Sequence, residues 1–133
     1  MREILFRGKT SDGEWVEGFY SSEEYNIDTH SIEYIPRIQL LGKCVSLGVL
    51  PETVGQYTGL TDKNGVRIFE GDIVHCVSKL DSADMVVIFE CGQFRMVLAE
   101  KYHEYQANIG YYDINCFAKE VIGNIHDNPE LLE

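Results

Sequence analysis

Thr53-Val54-Gly55-Gln56-Tyr57-Thr58-Gly59-Leu60-Thr61-Asp62-Lys63-Asn64-Gly65-Val66-Arg67-Ile68-Phe69-Glu70-Gly71-Asp72-Ile73-Val74 is the stretch whose reading decides the fold. Its first third is β-branched and aromatic with alternating character. Asn64-Gly65 is the strongest short hairpin dipeptide, because both residues tolerate positive φ. Val66–Phe69 then pairs back, and Glu70-Gly71-Asp72 makes a second tight turn into the strand that begins at Ile73. The segment therefore predicts a β-hairpin core.

Working outward, the same grammar repeats. Glu3–Arg7 reads as a strand, residues 8–13 (GKTSDG) as a turn, and Trp15–Tyr20 as the return strand. Gly18 inside that strand points to a bulge or a close backbone approach. Residues 21–34 are polar and acidic and read as an exposed loop or a loosely paired edge. Ile35–Leu41 reads as an edge strand or strand start because of Pro36, and Cys44–Leu50 as a further strand closed by Pro51-Glu52. Downstream, Ile73–Val77, Met85–Glu90 and Gln93–Leu98 are strands, the last two joined through Cys91-Gly92. Residues 100–108 are open between a helical turn and a loop. Gly110–Tyr112 and Ala118–Ile125 are further strands. Asn128 and Pro129 predict a short C-terminal helical turn, with Asn128 capping and Pro129 at its first position. Short strands at regular spacing with glycine turns predict a mainly β protein, a small β-barrel or β-roll. Residues 1–50 would form an N-terminal hairpin with a variable region, and 51–133 the core.

Composition narrows the class further. A 133-residue chain with 44% hydrophobic and 25% charged residues is an ordinary globular sequence. At this length folding buries roughly two-thirds of the unfolded surface, so neither disulfide nor metal is required. The net charge of −11 is unusual and uneven: residues 1–33 carry eight acids and three bases, 34–99 seven and six, and 100–133 seven and two. Such a surface repels a phosphate backbone, which is bound chiefly through cations that displace counterions. Cys44, Cys76, Cys91 and Cys116 contain no CxxC pair, which argues against a zinc knuckle. The first three sit in apolar or strand-like runs and are expected to act as small hydrophobes. No apolar run approaches membrane-spanning length and no signal-peptide core is visible, so reduced thiols and a cytoplasmic setting are expected.

The central segment, from Val54 to Val74, closely resembles the signature of the YopX-like family of phage and prophage proteins. Arg2–Arg7 looks like the opening strand of that family and Val121–Leu132 like its closing segment. The resemblance implies a single YopX-like unit over 1–133, a phage or prophage origin, and a roll related to SH3-like barrels. It implies no assigned activity and no catalytic residues.

Four constellations bear on chemistry. Asp62, Glu70 and Asp72 supply carboxylates suited to a divalent cation, yet Glu70-Gly71-Asp72 is explained as a turn, as are Asn64 and Gly65. His75 and Cys76 are adjacent on a strand, face opposite ways and cannot share a proton. Tyr57, Phe69, Phe89, Phe94, Tyr111 and Tyr112 are expected mostly in the core. Only Lys63, Arg67, Lys79 and Arg95 could give them the basic setting that base stacking on a barrel requires. The acidic ends (Glu14, Glu17, Glu23, Glu24, Asp28 and Glu33; Asp113, Glu120, Asp127, Glu130 and Glu133) would form one acidic face if they met, as in a DNA mimic. The expectation is therefore a non-enzymatic module with no catalytic residue, no cofactor and no metal. It would bind a host or phage protein, or itself, through an edge strand and the loops at 21–34 and 100–117. The alternatives are a nucleic-acid-binding barrel and a DNA-mimic inhibitor of a host DNA-binding protein.

Overall fold

The computed structural model describes residues 4–26, 32–104, 111–115 and 117–132. The chain is mainly β and divides into two compact units, Met1–Tyr57 and Thr58–Glu133. Its strands are β1 (Phe6–Lys9), β2 (Trp15–Asn26), β3 (Ile32–Leu40), β4 (Ser46–Gly48), β5 (Gly55–Thr61), β6 (Arg67–Phe69), β7 (Asp72–Val77), β8 (Ser82–Glu90), β9 (Gln93–Leu98), β10 (Tyr111–Asp113) and β11 (Ala118–Asn124). They form two sheets, in the orders β4-β3-β2-β1-β5-β6 and β10-β9-β8-β7-β11. Neither order returns on itself, so each sheet is open rather than a closed barrel.

In the first unit, β1 and β2 form the N-terminal hairpin, with Phe6 opposite Gly18 and Lys9 opposite Trp15. The strand starts and ends later than the sequence predicts. Gly8 belongs to it because a Cβ there would lie 2.7 Å from Val49 Cγ2. The turn is confined to Thr10–Glu14, where the Thr10 N–H donates to the Glu14 carbonyl at 2.9 Å and Gly13 takes φ 87°. Gly18 marks a close approach: a Cβ would sit 1.8 Å from the Gln39 carbonyl oxygen.

The expected loop at 21–34 is instead paired. β2 and β3 run in register from Gly18 opposite Leu40 to Asn26 opposite Ile32, and residues 27–31 lie outside the described residues. Polar side chains conceal such a ribbon, because main-chain hydrogen bonds hold it and the period-2 apolar signal fades where neither face is covered. One polar side chain even stitches it: Arg37 reaches Glu23 at 3.1 Å. Pro36 is not on an edge, since β3 lies between β2 and β4. Its carbonyl accepts the Val49 N–H at 3.0 Å. A residue's two polar groups point the same way in a strand, so the missing donor falls just beyond the end of β4, where no ladder bond is lost. The core here is Val16, Ile38 and Val49 with Phe6 and Leu40 against them. Cys44, expected to be buried, is exposed in the turn before β4.

The second unit buries both faces of its five-stranded sheet. Val74, Cys76, Met85, Val87 and Met96 face one side, and Ile73, Val86 and Val97 the other. This explains the continuous apolar runs of β7 and β8, where a sheet wet on one face would alternate. Ile68 and Ile114 cover the first side. Ala99 and Leu132, from the 3₁₀ turns Ala99–Glu104 and Pro129–Leu132, cover the second. The undecided segment after Leu98 thus begins as a 3₁₀ turn. The C-terminal turn starts at Pro129, but Asn128 does not cap it with its side chain: Asn128 Oδ1 accepts the Asn124 N–H at 3.2 Å. β8 and β9 join through a two-residue turn in which Cys91 (φ 53°) and Gly92 (φ 74°) are both left-handed, the geometry that suits strand twist. That turn exposes Cys91, so of the described thiols only Cys76 is a core residue.

Candidate functional site

The turn residues come first. Asn64 keeps a negative φ and only Gly65, at 81°, is left-handed. The Gly65 N–H donates to the Asp62 carbonyl at 3.0 Å and the Asp62 N–H to the Val66 carbonyl at 2.8 Å, so the loop is a turn followed by a left-handed glycine. Asp62 organises it. Its Oδ1 accepts the Asn64 and Val66 N–H groups at 2.8 and 2.9 Å, and its Oδ2 accepts the Val121 N–H at 2.9 Å. Beside it, the Lys63 N–H donates to the Lys119 carbonyl at 3.2 Å, and Lys63 Nζ lies 3.5 Å from Glu120. The loop therefore occupies part of the outer edge of β11, where open strand groups would invite another strand.

Gly71 (φ 92°) donates its N–H to the Val87 carbonyl at 2.8 Å and accepts the Ile125 N–H at 2.9 Å. Asp72 is buried and its Oδ2 accepts the Phe69 N–H at 2.8 Å. Glu70 is half-buried; after burial itself, its charge helps raise the Tyr102 phenol above its usual range. The Asp62 and Asp72 carboxylates thus bind main-chain donors. Among the described residues no group of three or more His, Cys, Asp or Glu side chains is arranged to hold a metal ion.

His75 and Cys76 point to different environments. His75 Nδ1 donates to Asp84 Oδ1 at 2.8 Å across the β7–β8 pair. Cys76 is buried beside Met96, and desolvation pushes its thiol up to about 11, with Lys119 opposing and Asp84 assisting. Burial and the raised pKa both disfavour its thiolate form. Of the aromatics, Tyr57 and Phe69 are buried, Phe94 is half-buried, and Phe89 and Tyr112 are exposed. Of the basic residues, Arg95 is buried and Lys63 stands beside Glu120. The two acidic ends fall in different units.

What these residues do not form, another set does. A cleft of about 580 Å³ opens in the second unit. Its apolar wall includes Met85, Leu98, Ala99, Phe117 and Leu131, with Cys76 also lining it; its carboxylates are Asp81, Asp84 and Glu100. Among the described residues no lysine, arginine or histidine lines it. The two nitrogen-bearing side chains tied to its wall are engaged, Lys119 Nζ with the Phe117 carbonyl at 2.9 Å and the His75 imidazole with Asp84. At one lip the Ser78–Asp81 turn is closed by a Ser78 N–H to Asp81 carbonyl bond of 2.8 Å, and the Ser78 hydroxyl accepts the Asp81 N–H. Leu80 projects from that turn with 97% of its surface exposed. The cleft is not legible in the sequence. The one available signal is Leu80, an apolar residue in a polar break with no strand to belong to.

Two open antiparallel sheets, a doubly buried second sheet and an acid-lined apolar cleft define the class: a small mainly β protein. The chain belongs to the YopX protein family, whose model matches residues 5–133. It is also similar to the structure described as the crystal structure of protein EF1440 from Enterococcus faecalis, with 23% identity, all of both chains covered and a TM-score of 0.52. At that identity the likeness is one of fold. No curated protein matches the chain.

Proposed function

We propose that this chain is a non-enzymatic binding module of phage or prophage origin, acting in the bacterial cytoplasm, that holds a protein partner at the cleft of its second unit. The observation that carries this reading is the cleft itself, with Leu80 standing exposed at its lip and Tyr112 exposed in its wall. Apolar and aromatic side chains in the open, beside a concave surface with a few polar groups, are what interface centres are made of. The 100–117 region supplies Glu100, Tyr112 and Phe117 to the cleft, which is the part of it this reading uses. The β11 edge is less suited to strand addition, because the Asp62 loop already engages it. The second unit is read as an open roll related to SH3-like barrels, with the cleft between strand ends and the following turn serving as the groove.

The test is quantitative affinity capture from host cells, using wild type and Leu80→Ser as paired baits. A partner held by wild type and depleted at least tenfold by Leu80→Ser supports the reading. A partner retained equally by both baits, or a chain that binds only copies of itself with Leu80 fully solvent-labelled, overturns it.

A further inference from the structure

The charge of the cleft says what its occupant carries. Three carboxylates line it and, among the described residues, no basic side chain does, while its apolar wall includes Met85, Leu98 and Phe117. An anionic ligand would meet Asp81, Asp84 and Glu100, of which Asp84 already holds the His75 imidazole and Asp81 only the Ser82 N–H. A purely apolar ligand would fill the wall but take water from the exposed Asp81 and Glu100 carboxylates without supplying a cation in its place. A side chain with an apolar stem and a cationic head satisfies both halves, because lysine and arginine lay their stems on apolar surface and keep the charge at the rim.

Resting on the reading of the cleft as the binding site, we infer that its occupant is a lysine or arginine side chain of a protein partner, its stem against Met85, Leu98 and Phe117 and its head among Asp81, Asp84 and Glu100. A cavity of about 580 Å³ exceeds one such side chain and leaves room for an apolar neighbour on the same segment. Leu80, almost wholly exposed in the turn that supplies Ser78 and Asp81 to the cleft, offers a protein segment apolar surface beside the site that a free amine would not reach. The net charge of −11 adds long-range attraction for a basic partner.

The experiment uses the full ¹⁵N-labelled chain and three capped peptides, Gly-Leu-Xaa-Leu-Gly with arginine, norleucine or glutamate at Xaa, titrated by amide shift mapping. The arginine peptide is expected to shift Ala83, Asp84 and Glu100, to bind at least about tenfold more tightly than the norleucine peptide, and to weaken as NaCl rises from about 20 to about 500 mM. The glutamate peptide should give no shift. Asp81→Asn combined with Glu100→Gln, both at exposed positions and checked for an unchanged spectrum elsewhere, should remove most of the arginine preference. Equal binding of arginine and norleucine peptides at the cleft overturns the cationic occupant and leaves the site standing. Arginine-peptide shifts confined to other surfaces, or no shift with any peptide, overturn both.

Discussion

The Asp62 carboxylate collects main-chain donors from its own loop and from Val121, 59 positions away, so one side chain fixes both a turn and a strand edge. Burial alone would raise its pKa, but the three N–H groups and Lys63 outweigh burial and hold it below the ordinary 3.8. Asp62→Ala strands those donors and is expected to cost about 3 kcal/mol in urea denaturation. The sign of the pH effect follows from the lowered pKa. The ionised Asp62 contributes its full stability above pH 3.8 and loses it as pH falls through the lower folded value. The stability gap between wild type and Asp62→Asn should therefore narrow in urea titrations below pH 3.8; a gap that widens there contradicts this role. Cys76 provides a second test at this scale. Iodoacetamide on the native protein at pH 8 should label the exposed Cys44 and Cys91 and spare Cys76, whose thiol stays protonated up to about 11 and is shielded by the core. Site-resolved mass spectrometry reads each thiol separately.

At the scale of elements, pairing is controlled by glycines placed where a side chain would collide. The β2–β3 ribbon depends on Gly18, whose added Cβ would meet the Gln39 carbonyl at 1.8 Å. Because the obstacle is backbone, Gly18→Ala should lower stability by about 3 kcal/mol or more and broaden the β3 amide resonances. Gly123 follows the bulge of β11, where Val121 pairs with Val74 and Gly123 with Ile73. A Cβ there would lie 2.5 Å from Asn128 Oδ1, so Gly123→Ala should break the Asn124–Asn128 link and fray the C-terminal turn, seen as faster amide exchange at Asn124. The β8–β9 turn allows a change of opposite sign. Cys91 holds a left-handed φ of 53° that asparagine tolerates better. Cys91→Asn should raise the melting temperature, by an amount worth about 0.5–1 kcal/mol.

At the scale of the whole molecule, the excess of 22 acids over 11 bases leaves a net charge of −11 that repels itself in the folded state. Thermal stability should rise as NaCl increases from about 20 to about 300 mM, because screening reduces that repulsion more than it weakens isolated surface pairs such as Lys63–Glu120. A melting temperature that falls with salt would mean that attractive pairs dominate. Much of the fold could be read in advance where local chemistry controls it. Gly65 and Gly71 sit at left-handed positions, Pro129 opens a helical turn, and the β-branched runs of β7 and β8 are strands. Elsewhere the determinant is distant in the chain. The β2–β3 ribbon has polar side chains and is held by main-chain pairing, Gly8 is dictated by Val49, and Asn128 is used by Asn124. The sequence by itself determined the β class, the turn positions, the acidity and the family resemblance, since each depends on residues within a few positions or on a sum over the chain. The tertiary structure decided the open sheets, the covered edge of β11 and the cleft. Asp81, Asp84, Met85, Leu98, Glu100, Phe117 and Leu131 converge only after β7, β8 and β9 pair in one register and the turns at Ala99 and Pro129 fold against them, and no local pattern encodes a meeting of residues so far apart in the chain.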